Sequence, residues 1–457
     1  MVKLTFYGGA QEVTGSCFLF ESDTAKILVD CGLFQCAGEC AKRNEEPFLF
    51  DPASVSALFI THAHLDHVGL IPKLVKDGFR GKIYSTPPTK DLAELNLKDS
   101  LNIMEKEAKR GNDNGEAGGK KFLYSQEDLA RALKIWETRR YGEAVAVSDF
   151  KIILRDSGHI LGSAIFEIQV NGKKIYVTGD LGNSPTPLLR PTYEVRDADY
   201  LVMEALYGDR LHETQEERKL KLERAIEDAM KAGGTLMIPA FSLERTQELL
   251  FELNNLVEHG RIPQVPVFVD SPLAIHATEV YKKHEDYFNK EAAYLISSGD
   301  DIFKFPGLRF TLTTEESKSI NEVLPPKIVI AGSGMSTGGR ILHHERRYLS
   351  DPKSTLLLIG YQAAGTLGRH IQDGAKTVTI FGEEIPARAK IVAISGYSAH
   401  PDSAALFRFA ERSVDTLKKI LLVQGEPKSL LFMAQKVKDY LGIEAIAPRY
   451  KDSVELK

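Results

Sequence analysis

Short aliphatic and β-branched runs recur along the chain, each ending in glycine or a polar turn, and predict strands at 26–29, 57–60, 174–177, 200–203, 235–238, 265–269, 327–330, 355–359, 390–394 and 420–423. Most are apolar nearly throughout, the pattern of strands covered on both faces. Met1 to Tyr7 reads as a further short strand entering a Gly8-Gly9 turn. Leu249, Leu250, Leu253, Leu256 and Val257 repeat at helical spacing, and Gly260 closes that helix. The charged stretch 101–147 contains Gly111, Gly115 and Gly118-Gly119, which predicts two surface helices around a mobile loop. Strands interleaved with helices, without an internal repeat, make the class α/β and layered.

The 457 residues suffice for two or three domains. With 43% apolar and 26% charged residues, disordered, collagenous and fibrous classes drop out. No apolar run approaches the roughly 20 residues of a membrane span. The amino terminus lacks the basic segment and long apolar core of a signal peptide, so no membrane partner is expected. Cys17, Cys31, Cys36 and Cys40 all fall in the first 40 residues, which argues against a disulfide framework and for ordinary thiols in a reducing cytoplasm. No fourth ligand at zinc-finger spacing accompanies Cys31, Cys36 and Cys40.

The strongest chemical signal is Thr61-His62-Ala63-His64-Leu65-Asp66-His67, directly after the strand ending at Ile60. Surface histidine clusters do not usually occupy the carboxyl end of a buried strand. Imidazole nitrogens and carboxylate oxygens on such a turn suit zinc, with His62 and His64 serving one cation and Asp66 and His67 another. Downstream, Ser157-Gly158-His159 sets a histidine beside glycine, and Thr178-Gly179-Asp180 puts an aspartate just past a strand, where its two oxygens could bridge two ions. Alone, each reads as a structural turn; in this order they extend the first cluster.

His62, His64, Asp66, His67, His159 and Asp180, preceded by Asp30 at a strand end, resemble the metallo-β-lactamase superfamily. The resemblance implies a four-layer αββα sandwich with two Zn2+ per chain at one edge, and Asp30 holding the ligand loop through hydrogen bonds.

The chain continues for more than 250 residues beyond Asp180. There it carries Glu204-Ala205-Leu206-Tyr207-Gly208-Asp209-Arg210, Pro239 to Arg245, Val269 to Ala274, Ala331 to Arg340, Gly360 to Arg369, and Ser395 to His400. In this order these motifs resemble the β-CASP nucleic-acid-processing group over essentially the whole chain. Its ribonucleases related to the mRNA cleavage and polyadenylation endonuclease are nearest. The resemblance implies an inserted three-layer α/β β-CASP domain: 1–207 and 391–457 form the sandwich, and 208–390 the insertion. It implies a zinc-dependent ribonuclease acting on single-stranded RNA.

Glycines between a strand and a helix opening near Arg340 let backbone N–H groups approach an anion. Ser333, Gly334, Gly338, Gly339, Arg340, Gly368, Arg369 and Arg245 are the expected substrate-binding residues. From Gly332 to His370, five Lys/Arg (Arg340, Arg346, Arg347, Lys353, Arg369) face two acids (Glu345, Asp351), a local +3 against −5 for the whole.

By the same resemblance, a hydroxide held by the zincs attacks phosphorus in line. Asp66, Glu204 and His400 are the expected catalytic residues, with His400 as general acid oriented by Glu204. The family pattern is broken after the last strand, where Val423-Gln424-Gly425-Glu426 replaces the expected His-Gly-Glu, and at Ala205-Leu206, where Ser-Thr is usual. Glutamine offers zinc only an amide oxygen. The expectation is a well-occupied first site (His62, His64, His159, Asp180) and a weaker second one near Asp66, His67 and Gln424, with reduced activity. The alternatives are an RNA-binding relative that has lost cleavage and, behind it, a small-molecule ester or lactone hydrolase. Exonuclease and endonuclease action both stay open, as do a monomer and a simple homodimer.

Overall fold

The computed structural model describes residues 1–35, 39–113, 122–363 and 365–457. Cys36, Ala364 and most of the glycine-rich loop expected between the two surface helices lie outside the described residues. The chain forms two compact units. One comprises Met1–Ser184, Pro191–Leu211 and His400–Lys457; the other comprises Pro185–Arg190 and His212–Ala399.

Two seven-stranded sheets build the first unit. One runs in the order Ser453–Leu456, Val2–Phe6, Phe18–Glu21, Lys26–Val29, Ala57–Phe59, Lys82–Ser85, Trp136–Thr138. The other runs Glu444–Ile446, Lys419–Val423, Tyr200–Glu204, Lys173–Val177, Ala164–Val170, Phe150–Asp156, Ala144–Val147. Alternate side chains point to opposite faces. Leu4, Phe6, Phe18, Phe20, Ile27 and Phe59 of the first sheet therefore meet Ile152, Leu154, Phe166, Ile168, Val177 and Val202 of the second in one buried core. Phe59 and Phe166 pack edge to face across it at 5.7 Å. The other face of the second sheet, through Tyr176, Leu201, Met203, Ile420 and Leu422, packs on Leu406, Phe409, Leu430, Met433 and Val437 of helices Ser403–Glu411 and Pro427–Leu441. The first sheet has helix Pro87–Asp113 at its side, with Lys90 donating to the Trp136 carbonyl at 2.8 Å. This is the αββα sandwich.

The second unit is a six-stranded parallel sheet in the order Leu308–Phe310, Val267–Val269, Lys327–Ala331, Thr235–Pro239, Thr355–Ile359, Lys390–Ile394. Every strand is paired in parallel, so its connections need crossovers, mostly helical. The helix read from Leu249 to Val257 spans Arg245–Glu258, with Gly260 left-handed (φ 63°) just beyond it.

All ten runs read as strands form strands. Lys390–Ile394 pairs with Thr355–Ile359, so 391–399, placed with the sandwich on sequence, lie in the second compact unit. An apolar run marks a strand but not the sheet that takes it. Cys17 and Cys31 are buried free thiols, whereas Cys40 is disulfide-bonded, a departure from the expectation of ordinary thiols. Among the described residues no helix is long and apolar enough to cross a membrane.

Candidate metal centre

Strand Ala57–Phe59 ends in the turn that carries His62 and His64, and the short helix Leu65–Val68 then presents Asp66 and His67. Asp30, left-handed (φ 59°) at the end of the neighbouring strand, is fully buried and organises this loop. Its Oδ1 accepts the Thr61 amide at 2.8 Å, and its Oδ2 lies 2.7 Å from His67 Nδ1 and accepts the Ser16 hydroxyl at 3.2 Å. Asn96 fixes the loop from the other side by donating to the Ala63 carbonyl at 2.7 Å. Gly179 is left-handed (φ 54°), and a Cβ there would sit 2.6 Å from Thr61 Cβ, so only glycine brings Asp180 this close to the loop.

Four donors converge. His62 Nε2 lies 3.0 Å from His64 Nδ1 and 3.4 Å from Asp180 Oδ2, and His159 Nε2 lies 3.4 Å from His64 Nδ1 and 3.5 Å from Asp180 Oδ2. A tetrahedral zinc at about 2.0–2.1 Å from each ligand separates its ligands by about 3.3–3.4 Å, so these donors fit one such ion. Burial lowers the pKa of His62, and it puts His64 and His159 well below the ordinary imidazole value, with neighbouring imidazoles adding to it. Neutral rings are the ligating form. Burial opposes the charge on Asp180, but His67 and His62 outweigh it and hold the carboxyl well below the usual range.

Asp180 turns its other oxygen elsewhere. Oδ1 lies 3.4 Å from His67 Nε2 and accepts from Gln424 Nε2 at 2.6 Å, while Asp66 Oδ2 lies 3.8 Å from His67 Nε2. Burial raises the pKa of Asp66. Burial also disfavours a charged His67, yet Asp180, Asp30 and Asp66 together raise its pKa well above the ordinary value.

Asp180, Glu204 and His400 form a second group of possible ligands within 4.8 Å of one another. Glu204 is fully buried at the end of Tyr200–Glu204. Its Oε1 accepts the Leu181 amide at 2.7 Å and faces His400 Nδ1 at 3.0 Å. Burial works against the His400 imidazolium, but Glu204 overcomes it and the pKa is pushed up to about 9. Burial likewise raises the pKa of Glu204, with His400 opposing it, so the two buried groups together favour holding a proton.

The predicted phosphate-binding residues lie in the second unit, mostly in loops at the carboxyl ends of its parallel strands. Arg245 is buried at the start of its helix, donating to the Tyr397 carbonyl at 2.6 Å and paired with Glu248. Arg340 donates to Asp270 Oδ1 (2.7 Å) and to the carbonyls of Thr311 (2.9 Å) and Leu312 (2.8 Å). Arg369 is half exposed and paired with Asp373 at 2.8 Å. The Ser333 hydroxyl accepts the amides of Thr337 (2.9 Å) and Gly338 (3.2 Å), so those N–H groups serve the loop itself. A Cβ at Gly334 would lie 2.6 Å from the Phe241 ring, one at Gly339 2.3 Å from the Gly332 carbonyl, and one at Gly368 2.0 Å from Gln362 Oε1; at Gly338 the space is open. Three of these four glycines thus answer to close packing. Thr61, Ser16, Asn96 and Leu181 support the centre without having been singled out on sequence; Thr61 alone carried a signal, its place beside the histidine cluster.

Residues 10–95 match the metallo-β-lactamase superfamily, 246–371 the β-CASP domain, and 384–448 the Zn-dependent metallo-hydrolase RNA specificity domain. Ribonuclease TTHA0252 of Thermus thermophilus is 36% identical over 99% of this chain and 100% of its own. An RNase J-like protein of Methanocaldococcus jannaschii is 33% identical over 98% of both. The transcription termination factor FttA of Methanosarcina mazei is 31% identical over 100% of this chain and 72% of its own. A solved protein of unknown function from Enterococcus faecalis V583 shares the fold at TM-score 0.57, with 14% identity and 100% of each chain covered. With a relative this similar aligned from end to end, and with all three domain matches in sequence order, the chain belongs to the β-CASP group of the metallo-β-lactamase superfamily.

Proposed function

We propose that the protein is a zinc-dependent ribonuclease that hydrolyses phosphodiester bonds of single-stranded RNA. The observation that carries this reading is the convergence of His62, His64, His159 and Asp180 beside the Glu204–His400 pair. The names of the relatives and the RNA specificity match support RNA as the substrate.

The first cation would be held by His62, His64, His159 and Asp180, and the expected place of a weaker second one is near Asp66, His67 and Gln424. Such an ion, when bound, lowers the pKa of a water and polarises a phosphate oxygen. The chain's own part is positioning and proton transfer. Asp30 and Thr61 hold the ligand loop in shape. Glu204 keeps His400 protonated through Nδ1, leaving Nε2 to give a proton to the departing oxygen. The intact first cluster and this pair favour cleavage over binding alone.

The test is cleavage of an end-labelled, unstructured RNA by the chelator-treated protein, with and without added zinc, beside a duplex of the same sequence. Zinc-dependent cleavage of the single strand is the expected result. Binding without cleavage at any zinc concentration would leave the RNA-binding relative, and turnover of a small ester that RNA does not inhibit would leave the ester hydrolase.

A further inference from the structure

We infer that the carboxamide of Gln424 takes the place of the second cation: its NH2 group is an internal substitute for that ion rather than a weak ligand to it. The inference rests on the first cluster holding a divalent cation, as proposed above.

Gln424 Nε2 lies 2.6 Å from Asp180 Oδ1 and 3.0 Å from His67 Nε2. A carboxamide nitrogen carries two hydrogens, so it can serve two acceptors at once. An amide oxygen 2.6 Å from a carboxylate would be repelled, which fixes the nitrogen on this side. Across the imidazole, His67 Nδ1 is 2.7 Å from Asp30 Oδ2, so in the neutral ring that a cation requires the hydrogen sits on Nδ1 and Nε2 turns its lone pair toward Gln424. These two lone pairs, on His67 Nε2 and Asp180 Oδ1, are the ones a second cation would need. The amide nitrogen and the ion therefore compete for the same acceptors.

The side chain is also held in place. Gln424 is 3% exposed, its backbone is left-handed (φ 51°), and its amide donates to the Gly9 carbonyl at 2.6 Å. Its Cγ packs so closely on Gly9 that a Cβ there would lie 3.3 Å away. Gln424 Oε1 is buried without a partner, so the two N–H bonds, not the oxygen, determine the orientation. No second trio built on Asp66 and His67 converges among the described residues, in contrast to the first cluster.

The substitute and the poor ligand differ in what truncation does. Removing a poor ligand leaves the second site as weak as before; removing a competitor strengthens it. Gln424→Ala and Gln424→Gly delete both N–H donors, and glycine suits the left-handed backbone. The full chain, stripped with chelator, is dialysed against increasing zinc, and bound metal is counted per chain; cobalt absorption reports the coordination of each ion. The expected result is one tightly held ion in the parent protein, and in both variants a second ion bound about tenfold or more tightly than in the parent, as fits loss of a hydrogen bond to a charged group. Retention of the first ion shows that each variant is folded. A parent that holds two ions equally well, or folded variants with no gain, overturns the inference while leaving the ribonuclease reading standing. A parent that binds no ion removes both.

Discussion

Glu204 and His400 are 196 positions apart, yet Oε1 of the one lies 3.0 Å from Nδ1 of the other. The same oxygen takes the Leu181 amide, one residue beyond Asp180, so a single buried carboxylate ties His400 to the cluster of His62, His64, His159 and Asp180. A general acid in such a site contributes about 10²–10⁴-fold. H400A should lose that much turnover on RNA while binding added zinc as the parent does. A nitrophenyl phosphodiester, whose leaving group departs without a proton, should be cleaved nearly as well by H400A as by the parent. An equal loss on both substrates would show that His400 is not the acid.

Asp30 touches no candidate ion but anchors Thr61 and His67. Removal of such a supporting carboxylate typically costs about 10–100-fold in metal affinity or activity. D30A is therefore expected to weaken zinc binding at the first cluster by that factor in a chelator-competition titration.

Arg340 ties three parts of the second unit together through Asp270, Thr311 and Leu312. Burial opposes the charge on Asp270, but His344, Ser317 and Arg340 hold its pKa down to about 2. R340A should lower stability by about 2 kcal/mol in urea unfolding, the scale of a hydrogen bond to a charged group. Loss of RNA affinity with unchanged stability would assign Arg340 to the substrate instead.

Glu345, buried beneath the Ser333–Arg340 loop, bonds to the Ser336 hydroxyl. Burial raises its pKa to about 7, with the Ser336 bond opposing. A carboxyl raised on folding adds stability below its unfolded pKa, and that contribution is lost as pH rises through the folded value. Between about pH 4.5 and 7 the parent should therefore lose about 3 kcal/mol that E345Q keeps. Chemical denaturation of both proteins at pH 4.5 and pH 8 measures the difference.

What could be read from the sequence was local. The apolar runs mark the strands, and His62, His64, Asp66 and His67 fall within one turn whose chemistry needs no distant partner to be noticed. Long-range choices were hidden. Nothing in the run 390–394 says that it joins the Thr355–Ile359 strand. Arg340 looks like a phosphate fork until Asp270 and two carbonyls claim its N–H groups. Gln424 could be seen as a departure, but the direction of its amide depends on His67, 357 positions away.

Strand Ser453–Leu456 lies against Val2–Phe6, and Lys419–Val423 fills the place between Tyr200–Glu204 and Glu444–Ile446. A polypeptide still being synthesised, with residues 400 onward inside the ribosome, has gaps in both sheets of the sandwich and no imidazole to meet Glu204. The two sheets and the Glu204–His400 pair therefore close only once the stretch from residue 400 onward can fold, whereas His62, His64, His159 and Asp180 all precede it.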